Sequence, residues 1–235
     1  MLSMDGSPQP TIDAKRGAAV SPGRIRRFSR AQRLVHRATG WLMLLCMGSA
    51  ACLYFPQLSE LVGHRLLVVI VHEWSGILLP VPFLLGLTSA TFRRDLRRLN
   101  RFASYDWTWL RAAGKRLTSP QFRPAGKFNA GQKIYAGWIA GAIPVMMLTG
   151  LLMWFTRILP WIPRTNALFV HDWLALTIGI VVFGHMRMAY KDPEARRGLR
   201  TGSVDVHWAR EYHPRWVSKG DNNPEASAPS DGKTP

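Results

Sequence analysis

The chain has 235 residues, 47% of them hydrophobic, a formal net charge of +17 and a mean hydropathy of −0.03. The mean is near zero because long apolar stretches alternate with strongly basic ones, which a single soluble core does not explain. The basic residues border the apolar stretches and form no recognisable DNA- or RNA-binding module, which argues against nucleic acid as a partner.

The chain starts with a polar, proline-containing stretch, residues 1–24, for which we predict a disordered tail. It is too long, and the next apolar run too extended, for a cleaved signal peptide. The first apolar stretch covers residues 38–59, with His36 at its entrance and Gly40 four residues later. A glycine on the histidine's helix face lets a flat macrocycle approach the backbone, although an interfacial histidine in a basic anchor is the alternative.

The second apolar stretch, residues 66–92, repeats this arrangement, because His72 is followed four residues later by Gly76. Pro80 and Pro82 predict a kink in this helix, which membrane helices tolerate when neighbours satisfy the freed carbonyl groups.

A basic loop, residues 93–133, follows with 11 basic and 2 acidic side chains. Its expected roles are to set topology and to attract anionic lipid headgroups. It ends in an amide-rich segment containing Asn129, Gly131 and Gln132, directly before the third apolar stretch. These side chains can cap the next helix, or they can donate hydrogen bonds to the carbonyl oxygens of a quinone at the membrane surface.

The third and fourth apolar stretches cover residues 134–156 and 166–190, and the fourth contains His171 and His185. Fourteen positions bring two side chains to within about 40° of one helix face and separate them by about 21 Å along the axis. One face therefore offers an imidazole near each side of a bilayer core about 30 Å thick. Beyond this helix, residues 206–216 predict an amphipathic surface segment, and residues 218–235 a second disordered tail.

The distribution of basic residues predicts the topology. Residues 1–37, 93–133 and 187–235 hold 8, 11 and 9 of the 31 Lys and Arg residues. By the positive-inside rule these segments face the cytoplasm. We therefore predict an all-α integral membrane protein, a four-helix bundle over residues 25–217 in the bacterial inner membrane, with cytoplasmic N- and C-termini.

This topology sorts the four histidines by depth. His36 and His185 lie near the cytoplasmic side, whereas His72 and His171 lie near the periplasmic side. Two axial imidazoles from opposing helices are what a six-coordinate b-type haem requires, and full ligation limits its chemistry to one-electron transfer. The sequence therefore predicts two haem sites.

Other cofactors and functions fit less well. Both cysteines lie in the first apolar stretch without a CxxC or CxxCH motif, so we expect no disulfide, no iron–sulfur cluster and no covalently attached haem. A structural zinc site needs four ligands, and each depth supplies two histidines. A proton-relay transporter using Glu73 and Asp172, or a haem-free membrane anchor, remains an alternative.

Several motifs together resemble one family, the cytochrome b (gamma) subunits of respiratory formate dehydrogenases, over roughly residues 25–217. The segment Lys127–Lys133 (KFNAGQK) resembles the family's segment before its third helix. The pair Thr149–Gly150, the spacing of the two histidines in the fourth stretch and the ending Trp208–Trp216 (WAREYHPRW) also match.

The resemblance implies a quinone-reducing membrane subunit with two non-covalent b-type haems. It assigns His72 and His171 to the periplasmic haem, and His36 and His185 to the cytoplasmic haem. It also implies a quinone site beside the cytoplasmic haem, with these residues: Asn129, Gly131, Gln132 and His185.

By the same resemblance, the partners are an iron–sulfur (beta) subunit and a catalytic (alpha) subunit with molybdenum or tungsten and a pterin, so this chain itself performs no formate chemistry. The cytochrome b subunit of a related hydrogenase or of a thiosulfate or polysulfide reductase is the alternative within redox proteins.

Overall fold

The computed structural model describes residues 23–115, 123–155 and 164–218. The predicted disordered tails lie almost wholly outside these ranges. The described elements, in chain order, are β1 (Arg24–Arg26), α1 (Arg30–Tyr54), α2 (Pro56–Val62), α3 (Arg65–Leu78), α4 (Val81–Gly86), α5 (Ala90–Leu99), α6 (Ser104–Lys115), α7 (Ala130–Trp154), α8 (Arg164–Lys191), α9 (Pro193–Thr201), β2 (Ser203–Asp205), α10 (Val206–Tyr212) and α11 (Pro214–Ser218).

Three helical segments in the described ranges are long and apolar enough to cross a membrane, namely Arg65–Gly86, Ala130–Trp154 and Arg164–Lys191. A fourth candidate is the pair α1 and α2, which meets the same criterion only when both helices are taken together. The protein is therefore a helical membrane protein with three spans, or four if this pair forms one span.

The bend between α1 and α2 measures 107° and lies at Phe55. Phe55 is extended, with φ −99° and ψ 110°, and Pro56 begins the next helix. A proline disfavours helical geometry in the residue before it, so the apolar stretch over residues 38–59 turns here instead of continuing straight.

The stretch predicted as the second span, residues 66–92, contains two interruptions. Helix α3 ends at Leu78 and α4 begins at Val81, so the first interruption lies at the prolines that predicted a kink. The second lies before α5, where the Ser89 hydroxyl accepts a hydrogen bond from the amide of Phe92 and caps a new helix.

The long helices pack as two pairs, α1 against α3 and α7 against α8. A small apolar core joins them at mid-height, with Met43, Leu79, Ala142, Ile178 and Val182. Ile178 is seven residues from each histidine of α8, so this apolar layer separates the two ends of the bundle. Many large apolar side chains on the outer faces are exposed, as lipid-facing residues are.

A small folded unit closes one end of the bundle. Strand β1 pairs antiparallel with β2. The sequence predicted an all-α protein and did not predict this two-stranded sheet. We call residues 23–28 and 192–218 the cap, the adjoining bundle end the capped end, and the other end the open end. Gly202 joins the two parts of the cap, because its carbonyl accepts hydrogen bonds from the amides of Arg27 and Phe28. It has φ +96°, and a Cβ there would lie 2.8 Å from the Phe28 carbonyl oxygen, so glycine is required.

The basic loop is held to the bundle by its two acidic residues. Lys133 of α7 donates to the Asp106 carboxylate at 2.6 Å, and both side chains are buried, with 4% and 1% exposed. Lys127 donates to the Asp95 carboxylate, which also accepts from the Gln32 amide of α1. The loop therefore docks onto the bundle in addition to any role in topology.

Candidate functional site

The structure brings His72 of α3 and His171 of α8 together at the open end. Their ring centres are 6.2 Å apart and the ring planes cross at 71°. The Nδ1 atom of His72 is 3.0 Å from the Ser49 hydroxyl, and the Nδ1 atom of His171 is 2.9 Å from the Thr149 hydroxyl. On both rings, Nδ1 is occupied by a hydrogen bond and Nε2 is left for a ligand.

The second pair lies at the capped end, where His36 of α1 faces His185 of α8. Their ring centres are 6.3 Å apart, with an angle of 49° between the planes. Tyr135 of α7 stacks on His185, with ring centres 4.7 Å apart and planes within 10°. Tyr135 was not identified from the sequence, because nothing about a tyrosine in an apolar stretch marks it as a site residue.

The spacing of both pairs suits a metal ion between the rings. A metal lies about 2.0 Å from an imidazole nitrogen and each ring centre about 1.2 Å beyond that nitrogen, so two rings on opposite sides of one metal have centres about 6.4 Å apart. The observed 6.2 and 6.3 Å agree with this value.

Glycines leave open space beside the histidines. A Cβ built at Gly40, which follows His36 by one helical turn, would meet no atom of another described segment within 4 Å, and the same holds for Gly76 after His72. A flat macrocycle needs this free approach to the helix backbone. The residues present therefore fit a haem at each pair.

Asn129 and Gln132 lie at the first turn of α7, at the capped end. The Asn129 side-chain oxygen accepts from the Gln132 amide at 2.9 Å, and the Gln132 side-chain oxygen accepts from the Asn129 amide at 3.0 Å. The two side chains thus form a capping box, which satisfies the helix terminus. Within the described ranges neither side-chain NH2 group donates to another residue, so both remain available as donors.

A small polar cavity of about 80 Å³ opens beside these amides. Gly131 lies against Trp109 of α6, since a Cβ there would lie 3.2 Å from the Trp109 ring. Neither Trp109 nor Arg27 was assigned to this site from the sequence; both come from segments predicted as a basic loop and a basic anchor. The cavity is lined by Arg27, Trp109, Asn129, Gln132, Asp192, Ala195, Trp208, Tyr212 and His213.

Arg27 and His213 form a buried pair beneath this cavity. Arg27 donates to His213 Nε2 at 3.0 Å, and His213 Nδ1 donates to the Gly126 carbonyl at 2.7 Å. The amphipathic segment predicted over residues 206–216 has a buried side, on which His213 and Trp216 are only 3% exposed. The Arg27 guanidinium lies 4.9 Å from the centre of the Trp208 ring, and this cation–π contact stabilises the aromatic cluster around His213.

Burial and the neighbouring Arg27 cation lower the pKa of His213 from 6.5 to about 3, while burial lowers the pKa of Arg27 to about 10. His213 is therefore neutral and Arg27 charged at pH 7. As the pH falls from 6.5 towards 3, the unfolded chain binds a proton at His213 that the folded cap does not. The free energy of unfolding should then fall by about 1.4 kcal/mol per pH unit from this residue alone.

A His213→Asn variant should lose this slope, because it has no imidazole to protonate. The measurement is the unfolding midpoint of the purified protein between pH 7 and pH 4. His207→Asn is the matched control, since the His207 side chain is 89% exposed. Parallel pH curves for wild type and His213→Asn would contradict the assignment.

Comparisons with known proteins agree with this architecture. A family model described as prokaryotic cytochrome b561 matches residues 27–201. The chain is 26% identical over 192 residues to the formate dehydrogenase cytochrome b556 subunit of Haemophilus influenzae, a match that covers 77% of this chain and 78% of the relative. It is 27% identical over 196 residues to the nitrate-inducible formate dehydrogenase cytochrome b556(Fdn) subunit of Escherichia coli, covering 78% of this chain and 88% of the relative.

These relatives confirm the resemblance found in the sequence. The family match extends from the cap through all the long helices and includes both histidine pairs. A cytochrome b binds b-type haem, which agrees with the fit of the histidine pairs. The chain belongs to the prokaryotic cytochrome b561 family.

Proposed function

We propose that this chain is the di-haem cytochrome b subunit of a formate dehydrogenase and that residues 25–217 form its membrane domain. The observation that supports this most directly is the presence of two imidazole pairs of equal spacing, 6.2 and 6.3 Å, at the two ends of α8. The choice of formate dehydrogenase as the enzyme rests on the names of the relatives.

In this proposal each histidine pair holds one haem. His72 and His171 would hold the haem at the open end, and His36 and His185 would hold the haem at the capped end. When bound, each haem supplies a one-electron carrier. The apolar layer around Ile178 keeps water out of the space between the two pairs.

The quinone binds at the capped end, close to His185. The free amide NH2 groups of Asn129 and Gln132 donate to its oxygens, and Gly131 leaves room for the Trp109 ring that lines the site. Tyr135, three residues after Gln132 in α7, stacks on His185.

The distribution of basic residues supports a location in the bacterial inner membrane, with the capped end and both termini in the cytoplasm and each apolar stretch forming one of four spans. Electrons then enter from a periplasmic iron–sulfur subunit that serves a catalytic subunit carrying molybdenum or tungsten with a pterin. Inward movement of negative charge opposes the membrane potential by about 2.3 kcal/mol per charge per 100 mV, so the transfer conserves energy.

The proposal is tested by a dithionite-reduced minus oxidised spectrum of the detergent-purified chain, with extracted haem quantified per polypeptide. We expect two non-covalent b haems. One haem would mean that one histidine pair is wrongly assigned. No haem in folded protein would favour a transporter or anchor.

The quinone site is tested by variants that separate helix capping from quinone binding. Asn129→Asp and Gln132→Glu keep the oxygens that cap α7 but remove the amide donors and add a negative charge beside the quinone oxygen. Each should slow quinone reduction by at least about tenfold while both haems stay bound. The measurement is the rate at which a quinone analogue oxidises the reduced haems.

Asn100→Ala is the control, because Asn100 is an exposed asparagine at the end of α5. Unchanged haem oxidation in Asn129→Asp and Gln132→Glu would place the quinone elsewhere.

A further inference from the structure

We infer that Ser49 and Thr149 are positioning residues that fix the tautomer of the open-end histidines and lower the reduction potential of that centre relative to the capped-end centre. This inference rests on the proposed function, because it takes the two histidine pairs as the haem ligands. It goes further by assigning roles to two hydroxyl groups and a direction to the potential difference.

The hydrogen bonds of His72 determine which ring nitrogen carries the proton. Its Nδ1 atom is 3.2 Å from the Cys46 carbonyl oxygen, which can only accept, so Nδ1 must be the donor. The Ser49 hydroxyl donates its single hydrogen to the Leu45 carbonyl at 2.7 Å and accepts from His72 Nδ1 at 3.0 Å. His72 therefore presents the lone pair of Nε2.

Thr149 gives the same result for His171. Its hydroxyl hydrogen is used within α7, where the oxygen lies 2.9 Å from the Val145 carbonyl and 3.0 Å from the Met146 carbonyl. With its hydrogen on these carbonyls, the Thr149 oxygen accepts from His171 Nδ1 at 2.9 Å, which is the direction that leaves Nε2 free for the haem. On both rings Nδ1 is therefore the donor: the Cys46 carbonyl and the Ser49 hydroxyl both accept from His72, and the Thr149 hydroxyl accepts from His171.

The capped-end pair differs in this respect. Among the described residues, neither His36 nor His185 has a side-chain hydrogen bond, and the close neighbour of His185 is the stacked Tyr135 ring. The two centres therefore share the same ligand type but differ in what supports the ligands.

This difference has a definite sign. A hydrogen bond donated by Nδ1 makes the imidazole a stronger electron donor through Nε2. A stronger donor stabilises the oxidised metal and lowers the reduction potential. With haem bound, the open-end centre would therefore be the weaker oxidant, and a one-electron transfer that oxidises it and reduces the capped-end centre would be favourable.

The test is a spectroelectrochemical titration of the purified haem-loaded protein, resolved into two components. Thr149→Val should raise the midpoint potential of one component by about 59 mV, which corresponds to a tenfold change in its one-electron redox equilibrium constant. The midpoint potential of the other component should stay unchanged. Ser49→Ala should move the same component in the same direction.

Two controls isolate the hydroxyl group. Thr149→Ser keeps a hydroxyl and should titrate like wild type. Thr177→Val removes an α8 hydroxyl that, within the described ranges, donates to the Trp173 carbonyl at 2.8 Å and contacts neither histidine pair through a hydrogen bond, so it should also change nothing.

The outcomes separate this inference from the proposed function. Two bound haems with unchanged potentials in Thr149→Val and Ser49→Ala would overturn the inference and leave the proposed function intact. A wild-type protein with fewer than two haems would contradict the proposed function itself. Loss of one haem in Thr149→Val but not in Thr149→Ser supports the positioning role. The effect on the midpoint potential is then measured in Ser49→Ala, where an increase supports the inference and an unchanged value overturns it.

Discussion

Replacing His171 with alanine should reduce the haem content from two per chain to one and lower formate-dependent quinone reduction by at least about 100-fold. The loss should be selective because Ile178 and the apolar layer lie between His171 and the capped-end pair. The remaining haem should still be oxidised by added quinone. This result would distinguish loss of the open-end haem from damage to the quinone site at the capped end. Haem extraction and quinone-dependent reoxidation measure the two quantities.

His64→Ala is the control for this variant. His64 is an exposed histidine directly before α3, eight residues from His72, and belongs to neither pair. It should keep both haems and wild-type activity. Two haems with normal quinone reduction in His171→Ala would refute the assignment of the open-end pair.

Asp106→Asn should produce the largest loss of stability, because it leaves the Lys133 ammonium buried without a counter-charge. Breaking a buried ion pair by removing one partner costs about 3–5 kcal/mol. Lys133 also donates to the Arg101 carbonyl at 2.9 Å, so the loop before α6 should loosen and Trp109 should leave Gly131. The unfolding midpoint in detergent measures the stability, and quinone-dependent haem oxidation reports the displacement of Trp109.

A double variant distinguishes a charge effect from a packing effect. Asp106→Leu combined with Lys133→Met removes both charges, and it should be more stable than either single change, as apolar replacements of buried pairs often are. Glu211→Gln is the control, since its partner His207 is exposed and 3.9 Å away, and exposed pairs contribute about 0–1 kcal/mol. Equal losses for Asp106→Asn and Glu211→Gln would contradict the expected effect of burial.

The sequence was informative wherever a local pattern carries the structure. The fourteen-residue spacing in α8 and the glycine one turn after His36 and His72 identified the histidines that the structure brings together in pairs. The capping motif at Asn129 and Gln132 was also visible, because a capping box is read within four residues.

Other features depend on contacts between distant segments. The β1–β2 pairing joins residues 24 and 205, and no local pattern in three-residue strands predicts it. Tyr135 and Trp109 are ordinary aromatic residues until folding places them against His185 and Gly131. The break at Phe55 was missed because an uncharged apolar run over residues 38–59 masks the effect of a single proline.

The cap also has a consequence for biosynthesis. Its first strand, Arg24–Arg26, leaves the ribosome before any long helix, whereas Ser203–Asp205 is made after all of them. The cap therefore cannot close until α8 has been made. Until then the ends of α1 and α8 that carry His36 and His185 are not tied together by the cap.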